Sequence, residues 1–206
     1  MNIDENSFMG FSPASARNAA PILQRLTGLL AGDEKVLEVG SGTGQHAVHF
    51  AGNLPGVRWL PSDIEQQLPL LQANLDRHGS DNITASRVLN LQQSDWHTGL
   101  DPVDLIYSAN TLHIIGWAEV VSLFRHLDQV LAPQGQVILY GPFRYGQNFT
   151  SDSNAEFDQW LKARNPMSGI RDFEAVNALA VEAGLLLKDD IVMPANNQLL
   201  VWQKAR

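Results

Sequence analysis

The chain has 206 residues, 44% of them hydrophobic and 17% charged, which suits one folded domain over residues 1–206 and excludes an intrinsically disordered chain. Its net charge of −8 disfavours a polyanionic partner such as nucleic acid. The absence of cysteine excludes disulfides, thiolate zinc sites and a cysteine nucleophile, and with no apolar run near the roughly 20 residues of a membrane span and no signal-peptide pattern in MNIDENSFMG, a cytoplasmic protein is expected.

Residues 1–12 show no period and are read as irregular. Ser12-Pro13 is a helix start, a capping hydroxyl before a proline suited to the first helical position. Ala19, Ile22, Leu23, Leu26, Leu29 and Leu30 follow at helical spacing until Gly32, although Pro21 predicts a kink or a later start. Lys35 to Val39 reads as a strand and Gln45 to Ala51 as a helix. Val57 to Leu60 is a second strand, running into Pro61-Ser62-Asp63, and Leu68, Leu71 and Leu75 mark a helix. Thr84–Leu89 and Val103–Ser108 are further strands. Trp117–Leu131 is the clearest helix, with Val120, Val121, Phe124, Leu127 and Leu131 on one face. Pro133–Gly135 is a turn and Val137–Tyr140 a strand. Residues 141–169, rich in Gly, Asn, Ser and aromatics, break the rhythm apart from a short helical stretch near Phe157. A last helix carries Phe173, Val176, Leu179 and Ala180 and stops at Gly184. Leu185–Met193 and Gln198–Lys204 then pair as an antiparallel hairpin. Alternating strands and helices predict an α/β fold, a parallel sheet with helices on both faces.

The segment Glu38-Val-Gly40-Ser-Gly42-Thr-Gly44 carries the chemistry. A strand that ends in alternating glycines and opens a helix is a nucleotide-binding geometry: the ligand lies against bare main chain, before a helix N-terminus. A dinucleotide fingerprint needs a third glycine where Gln45 stands, so an NAD-dependent oxidoreductase is disfavoured. An acid at the strand end suits a ligand with an ammonium group better than a pyrophosphate. Asp63, at the end of the second strand, is placed to accept hydrogen bonds from ribose hydroxyls. The plainer alternative is a glycine-rich turn beside a surface acid.

Through VLEVGSGTGQHAVHFA, Asp63, DLIYSANTLHI and APQGQVILYGPF, residues 15–204 resemble the class I S-adenosylmethionine-dependent methyltransferases. A narrower resemblance, to a methyltransferase-like family of unassigned function, rests on SPASARN, LYGPF, SNAEFDQWLKARNP, GIRDFE and MPANNQLLVW. The resemblance implies a Rossmann-like seven-stranded, mostly parallel sheet with a C-terminal antiparallel hairpin. It also implies S-adenosylmethionine as cofactor, with Glu38, Gly40, Gly42, Gly44 and Asp63 around it. Relatives often carry Asp at the end of the third strand to bind adenine; here the position is Asn90, whose carbonyl oxygen can accept the adenine amino group, with the Leu91 N–H beside it. The first helix of the class can fold over the cofactor, which makes Arg17 and Asn18 candidates for its carboxylate.

Ligands of open α/β sheets bind at the carboxyl ends of the strands. After the fourth strand this places Asn110 at the cofactor or acceptor and His113 as a general base, the alternative being a packed histidine. Tyr140, Phe143, Arg144 and Tyr145 are candidates for an acceptor pocket, Arg144 as an anchor for an anion. Arg171, Asn196 and Asn197 are further polar candidates, and Trp96 and His97 candidates to cap adenine. His46 and His49 lie one turn apart with no acid or cysteine to complete a metal site, so no metal is expected. The expected acceptor is a small molecule, with residues 1–31 as a helical cap and 141–169 as a lid, in a monomer or homodimer. No N-P-P-Y motif follows the fourth strand, which reads Ser108-Ala-Asn110-Thr111 and argues against exocyclic-amine methylation of DNA or glutamine. A non-catalytic cofactor-binding partner protein is the alternative function.

Overall fold

A computed structural model describes residues 7–205; residues 1–6 of the expected irregular N-terminal stretch lie outside the described residues. In chain order the elements are α1 (Pro13–Leu29), β1 (Lys35–Val39), α2 (Gln45–Asn53), β2 (Arg58–Asp63), α3 (Leu68–His78), β3 (Arg87–Val88) and β4 (Val103–Ala109). Then come α4 (Trp117–Arg125), α5 (Leu127–Val130), β5 (Leu131–Gly141), β6 (Phe143–Tyr145), β7 (Asn148–Phe149), α6 (Asp152–Arg164), β8 (Arg171–Asp172), α7 (Phe173–Glu182), β9 (Leu185–Met193) and β10 (Asn197–Lys204).

Seven strands form one sheet in the order β3-β2-β1-β4-β5-β10-β9, and β7-β6-β8 form a small second sheet. The β1–β2, β1–β4 and β2–β3 pairs are parallel, while β10 is antiparallel to both β5 and β9. This is a Rossmann-like α/β fold with a C-terminal antiparallel hairpin. Among the described residues, no helix is long and apolar enough to cross a membrane. The residues group into two compact units: one runs through Asn90 and adds Leu105–Tyr107; the other comprises Leu91–Asp104 and Ser108 onward.

In the first unit, the Ser12 hydroxyl accepts from the Ser15 N–H and caps α1, which starts at Pro13 and runs on through Pro21. The helix buries Ala19, Ile22 and Leu26. The core holds an aromatic cluster, Phe50, Trp59 and Tyr107, with ring centroids 5.5–5.7 Å apart in tilted and edge-on pairs, the arrangement that aromatic quadrupoles favour. The predicted third strand is shorter than expected. Only Arg87 and Val88 pair with β2, besides a single bridge at Ile83. Between them the Gln72 carbonyl takes both the N–H and the hydroxyl of Ser86, at 2.8 Å each, a side-chain bond that displaces the ladder.

The second unit differs from expectation at three places, the first being the turn expected at Pro133–Gly135, which lies inside β5. The helix predicted over 117–131 breaks at His126 (φ −112°, ψ 10°) into α4 and α5. Leu127 and Val130 stay buried, and the His126 ring stacks on His97 at 4.1 Å. Segment 141–169 contains more regular structure than its composition suggests. It holds β6, β7 and the 13-residue α6, capped by the Ser151 hydroxyl accepting from Asn154 N–H at 3.2 Å. At the sheet edge, β9 carries Lys188, Asp189 and Asp190 and an irregular register opposite Val201-Trp202. Charges and bulges blunt an edge strand against pairing with other chains.

Candidate functional site

The end of β1 builds the first half of the site. Gly40, Gly42 and Gly44 have φ of 77°, 57° and 85°, a left-handed sequence that ordinary residues adopt only at a cost. The Gly40 and Ser41 N–H groups both donate to the Ser62 carbonyl, at 3.0 and 2.9 Å, which ties the loop to β2. The Gly42 N–H donates to Asp63 Oδ2 at 2.7 Å, and Asp63 Oδ1 accepts from Ile64 N–H at 2.8 Å. Burial raises the Asp63 pKa above its ordinary value, against the lowering effect of those two bonds.

The glycines have different duties. A Cβ on Gly44 would meet Leu71 at 2.8 Å, so Gly44 admits α3. A Cβ on Gly42 would meet nothing within 4 Å, so the loop offers open space at its middle glycine.

Glu38 lies beneath the loop, 2% exposed. Its Oε2 accepts from Trp59 Nε1 at 2.9 Å and from the Ser41 hydroxyl at 3.0 Å. Burial pushes its pKa up to about 7; the two bonds oppose that rise and the Asp63 charge adds to it. Gln45, where a dinucleotide loop would carry glycine, is buried because it is occupied: its carbonyl accepts from Ser12 N–H and its amide donates to the Ser12 carbonyl. Asn74, fully buried, donates to the carbonyls of Thr43 and Met9 and accepts from Met9 N–H. Trp59 and Asn74 escape sequence reading because their partners lie 21 to 65 residues away and no motif marks them; Ser41 and Gln45 stand in or beside the glycine motif, but their bonds to Ser62 and Ser12 reach 21 and 33 residues along the chain.

Of the other candidates in this unit, Arg17 is exposed, and Asn18 and Asn90 are half-buried. His46 bonds the Ser15 carbonyl at 3.1 Å, and burial lowers its pKa to about 4. His49 packs edge-on against Phe50.

In the second unit, Asn110 adopts the left-handed φ of 56°, and its N–H donates to the Tyr140 carbonyl at 2.8 Å. The β5 terminus at Gly141 brings Asn110 and His113 together. A Cβ there would lie 3.5 Å from His113 Nδ1 and 3.8 Å from Asn110 Oδ1. His113 is buried, its ring edge-on to Phe157 at 5.4 Å. Burial, then the nearby Arg171 charge, lowers its pKa to about 4, so at neutral pH it is an uncharged imidazole.

Tyr140 and Phe143 are buried, and the Tyr140 hydroxyl accepts from Asn197 Nδ2 at 3.1 Å. Tyr145 stacks on Phe173 and donates its hydroxyl to Asp190 at 2.8 Å. The Arg144 guanidinium lies 5.6 Å from the Phe149 ring centre. Leu91 is buried, and Trp96 is anchored by its indole N–H to the Ser122 carbonyl at 3.2 Å. The Asn196 carbonyl accepts from Asn154 Nδ2 at 3.0 Å, so the hairpin turn is tied to α6. Gln198, which the sequence did not single out, is 7% exposed and pairs in register with Gly141.

A seven-stranded sheet in this order, with a left-handed glycine loop closing β1, defines the Rossmann-like fold of the class I methyltransferases. Solved structures similar to the chain share it. An O-methyltransferase family protein from Burkholderia thailandensis matches with a TM-score of 0.79 at 15% identity, over 93% of this chain and 57% of its own. The O-methyltransferase family 2 protein from Planctomyces limnophilus, in complex with apigenin, gives 0.74 at 17%, over 93% and 60%. Human N-acetylserotonin methyltransferase, in complex with S-adenosylmethionine, gives 0.72 at 16%, over 94% and 53%. The chain thus spans little more than half the length of these proteins. Residues 9–204 match the model of the family described as protein of unknown function DUF938, and the chain belongs to that family.

Proposed function

We propose that this chain is an S-adenosylmethionine-dependent methyltransferase acting on a small molecule in the cytoplasm, with residues 1–206 working as one methyltransferase domain. The observation that carries this reading is the loop at the end of β1. Its middle glycine is left-handed, opens into free space, and is held by the carboxylate that ends β2. These residues fit a nucleoside bearing an amino acid: bare main chain for close approach, Asp63 for the ribose hydroxyls, and a helix start behind them. Bound there, the cofactor would supply an electrophilic methyl group carried on a sulfonium.

The chain's own part is positioning and exclusion of water. In this reading Glu38, Gly40, Gly42, Gly44 and Asp63 hold the cofactor, aided by Arg17, Asn18, Asn90, Leu91 and Asn110. The acceptor lies at the ends of β4 and β5, walled by Tyr140, Phe143, Arg144 and Tyr145 and covered by residues 141–169. His113, kept uncharged by its burial, accepts a hydrogen bond from an O–H or N–H of the acceptor. A net charge of −8 and the small molecules named for the Planctomyces and human proteins support a compact acceptor over nucleic acid.

Calorimetry with S-adenosylmethionine and its demethylated product tests the reading, with NAD as control. Saturable binding of the first two and none of NAD is expected; NAD binding without sulfonium binding overturns it. Salt-sensitive, micromolar RNA or DNA binding would overturn the acceptor class. Asp63→Ala is expected to weaken cofactor binding about ten- to a hundredfold, the worth of a hydrogen bond to a charged group. A variant that titrates like the wild type would remove Asp63 from the ribose site.

A further inference from the structure

The loop that carries His113 is held by one short segment further along the chain. Four consecutive backbone carbonyls, of residues 112 to 115, are all taken by residues 168–171. Arg171 Nε donates to the Leu112 carbonyl at 2.9 Å, the Gly169 N–H to His113 at 2.9 Å, and the Ser168 hydroxyl to Ile114 at 2.6 Å. Arg171 Nη2 donates to the Ile115 carbonyl and again to Met167 at 2.9 Å. One guanidinium thus spans the first and last of the four carbonyls and closes its own segment on itself.

The segment is itself anchored to α6. Asp158, 3% exposed, accepts from the Ile170 N–H through Oδ1 at 2.7 Å and from Lys162 Nζ through Oδ2 at 2.6 Å. Gly169 fits against this carboxylate, since a Cβ there would sit 3.0 Å from Asp158 Oδ1. The same helix supplies Phe157, whose ring meets the His113 imidazole.

So many bonds on one turn exceed what a loop needs for solubility. Exposed carbonyls are satisfied by water at no cost, whereas a fixed set of donors selects one backbone conformation. The fork geometry matters as well, because a planar guanidinium can bridge separate carbonyls that a lysine ammonium on a flexible stem cannot hold in one arrangement.

We propose that Arg171 is a positioning residue: through the clamp on residues 112–115 it sets the place and the hydrogen-bonding state of His113 on the acceptor side of the site. This rests on the reading of His113 as an acceptor-facing group under the proposed function. Arg171 itself touches no reacting atom. Its influence on His113 is geometric first, through the carbonyls, and electrostatic second, because its charge also disfavours the imidazolium.

Imidazole NMR on the full chain labelled at histidine tests this, with His113→Asn assigning the resonance. In the wild type the His113 ring is expected to titrate near 4. In Arg171→Gln it is expected to move upward toward the ordinary histidine value of 6.5, with ring shifts that show a loosened loop. Arg171→Lys separates geometry from charge: it keeps the charge and loses the fork, so its ring shifts are expected to follow the Gln variant rather than the wild type. Ser168→Ala removes one clamp bond and no charge, and is expected to give a smaller change in the same direction even if the arginine variants fold poorly. An unmoved His113 resonance in folded Arg171→Gln and Ser168→Ala, or full restoration by lysine, would overturn the proposal. S-adenosylmethionine calorimetry on the wild type decides the methyltransferase reading separately, so failure of one is not failure of the other.

Discussion

Gly42→Val is expected to reduce S-adenosylmethionine affinity by at least about a hundredfold, roughly 3 kcal/mol on the binding scale, while the protein still folds. Two effects act together. The valine Cβ and both methyl groups enter the open space at the middle of the loop, where the proposed cofactor lies. The residue must also hold φ at 57°, a region that a β-branched side chain tolerates poorly, at a cost of about 1–2 kcal/mol. The second effect by itself lowers stability without touching a ligand, so a control is needed. Gly184, after α7, has φ 77° and also faces open space. Gly184→Val is therefore expected to lower the melting temperature comparably and leave cofactor affinity unchanged. Calorimetry on both variants, beside thermal melts, separates strain from blockage; equal affinities would show that the β1 loop is only a turn.

The second large effect concerns Glu38 and pH. Its pKa stands at about 7 in the folded protein against 4.5 for an ordinary glutamate, burial being the main cause. Between those values the folded state keeps a proton that the unfolded state has released. Raising the pH through this window therefore favours unfolding, and stability falls as pH climbs from about 4.5 to about 7. At about 1.4 kcal/mol per pKa unit, the loss is on the order of 3 kcal/mol. Above the folded pKa both states are ionised and this contribution stops changing. Glu38→Gln keeps a carbonyl for Trp59 and Ser41 but cannot ionise. Denaturant titrations at several pH values are expected to show the wild type losing stability against the variant across this window. A constant difference between the two would mean that Glu38 is not driven to share a proton by its burial.

The strand–helix alternation, the glycine loop and Asp63 were legible in the sequence because each is a local signal. Periodicity marks α1, α2, β1, β2, β4 and the β9–β10 hairpin, and alternating glycines mark a backbone that must turn left-handed. The broken helix at His126 was not legible, since its apolar face continues through Leu127 and the break is joined to a ring stack with His97, 29 positions earlier in the chain. The truncated β3 likewise follows from Gln72 reaching Ser86 from another element.

The same division runs through the candidate site. Glu38 stands out in the motif, but its near-neutral pKa comes from its burial, which the Trp59 and Ser41 bonds oppose. Gln45 reads as a missing glycine until its side chain is found holding Ser12. His113 reads as a candidate base or a packed histidine, with no sign that residues 168–171 grip its backbone. The sequence by itself determined the α/β class, the left-handed glycine loop after β1 and the acid that ends β2, because backbone conformation and hydrophobic period are written within a few residues. Only the tertiary structure decided which acids and imidazoles are shifted from their ordinary pKa and which loops are fixed, because desolvation and hydrogen bonding depend on groups that folding brings together from distant parts of the chain.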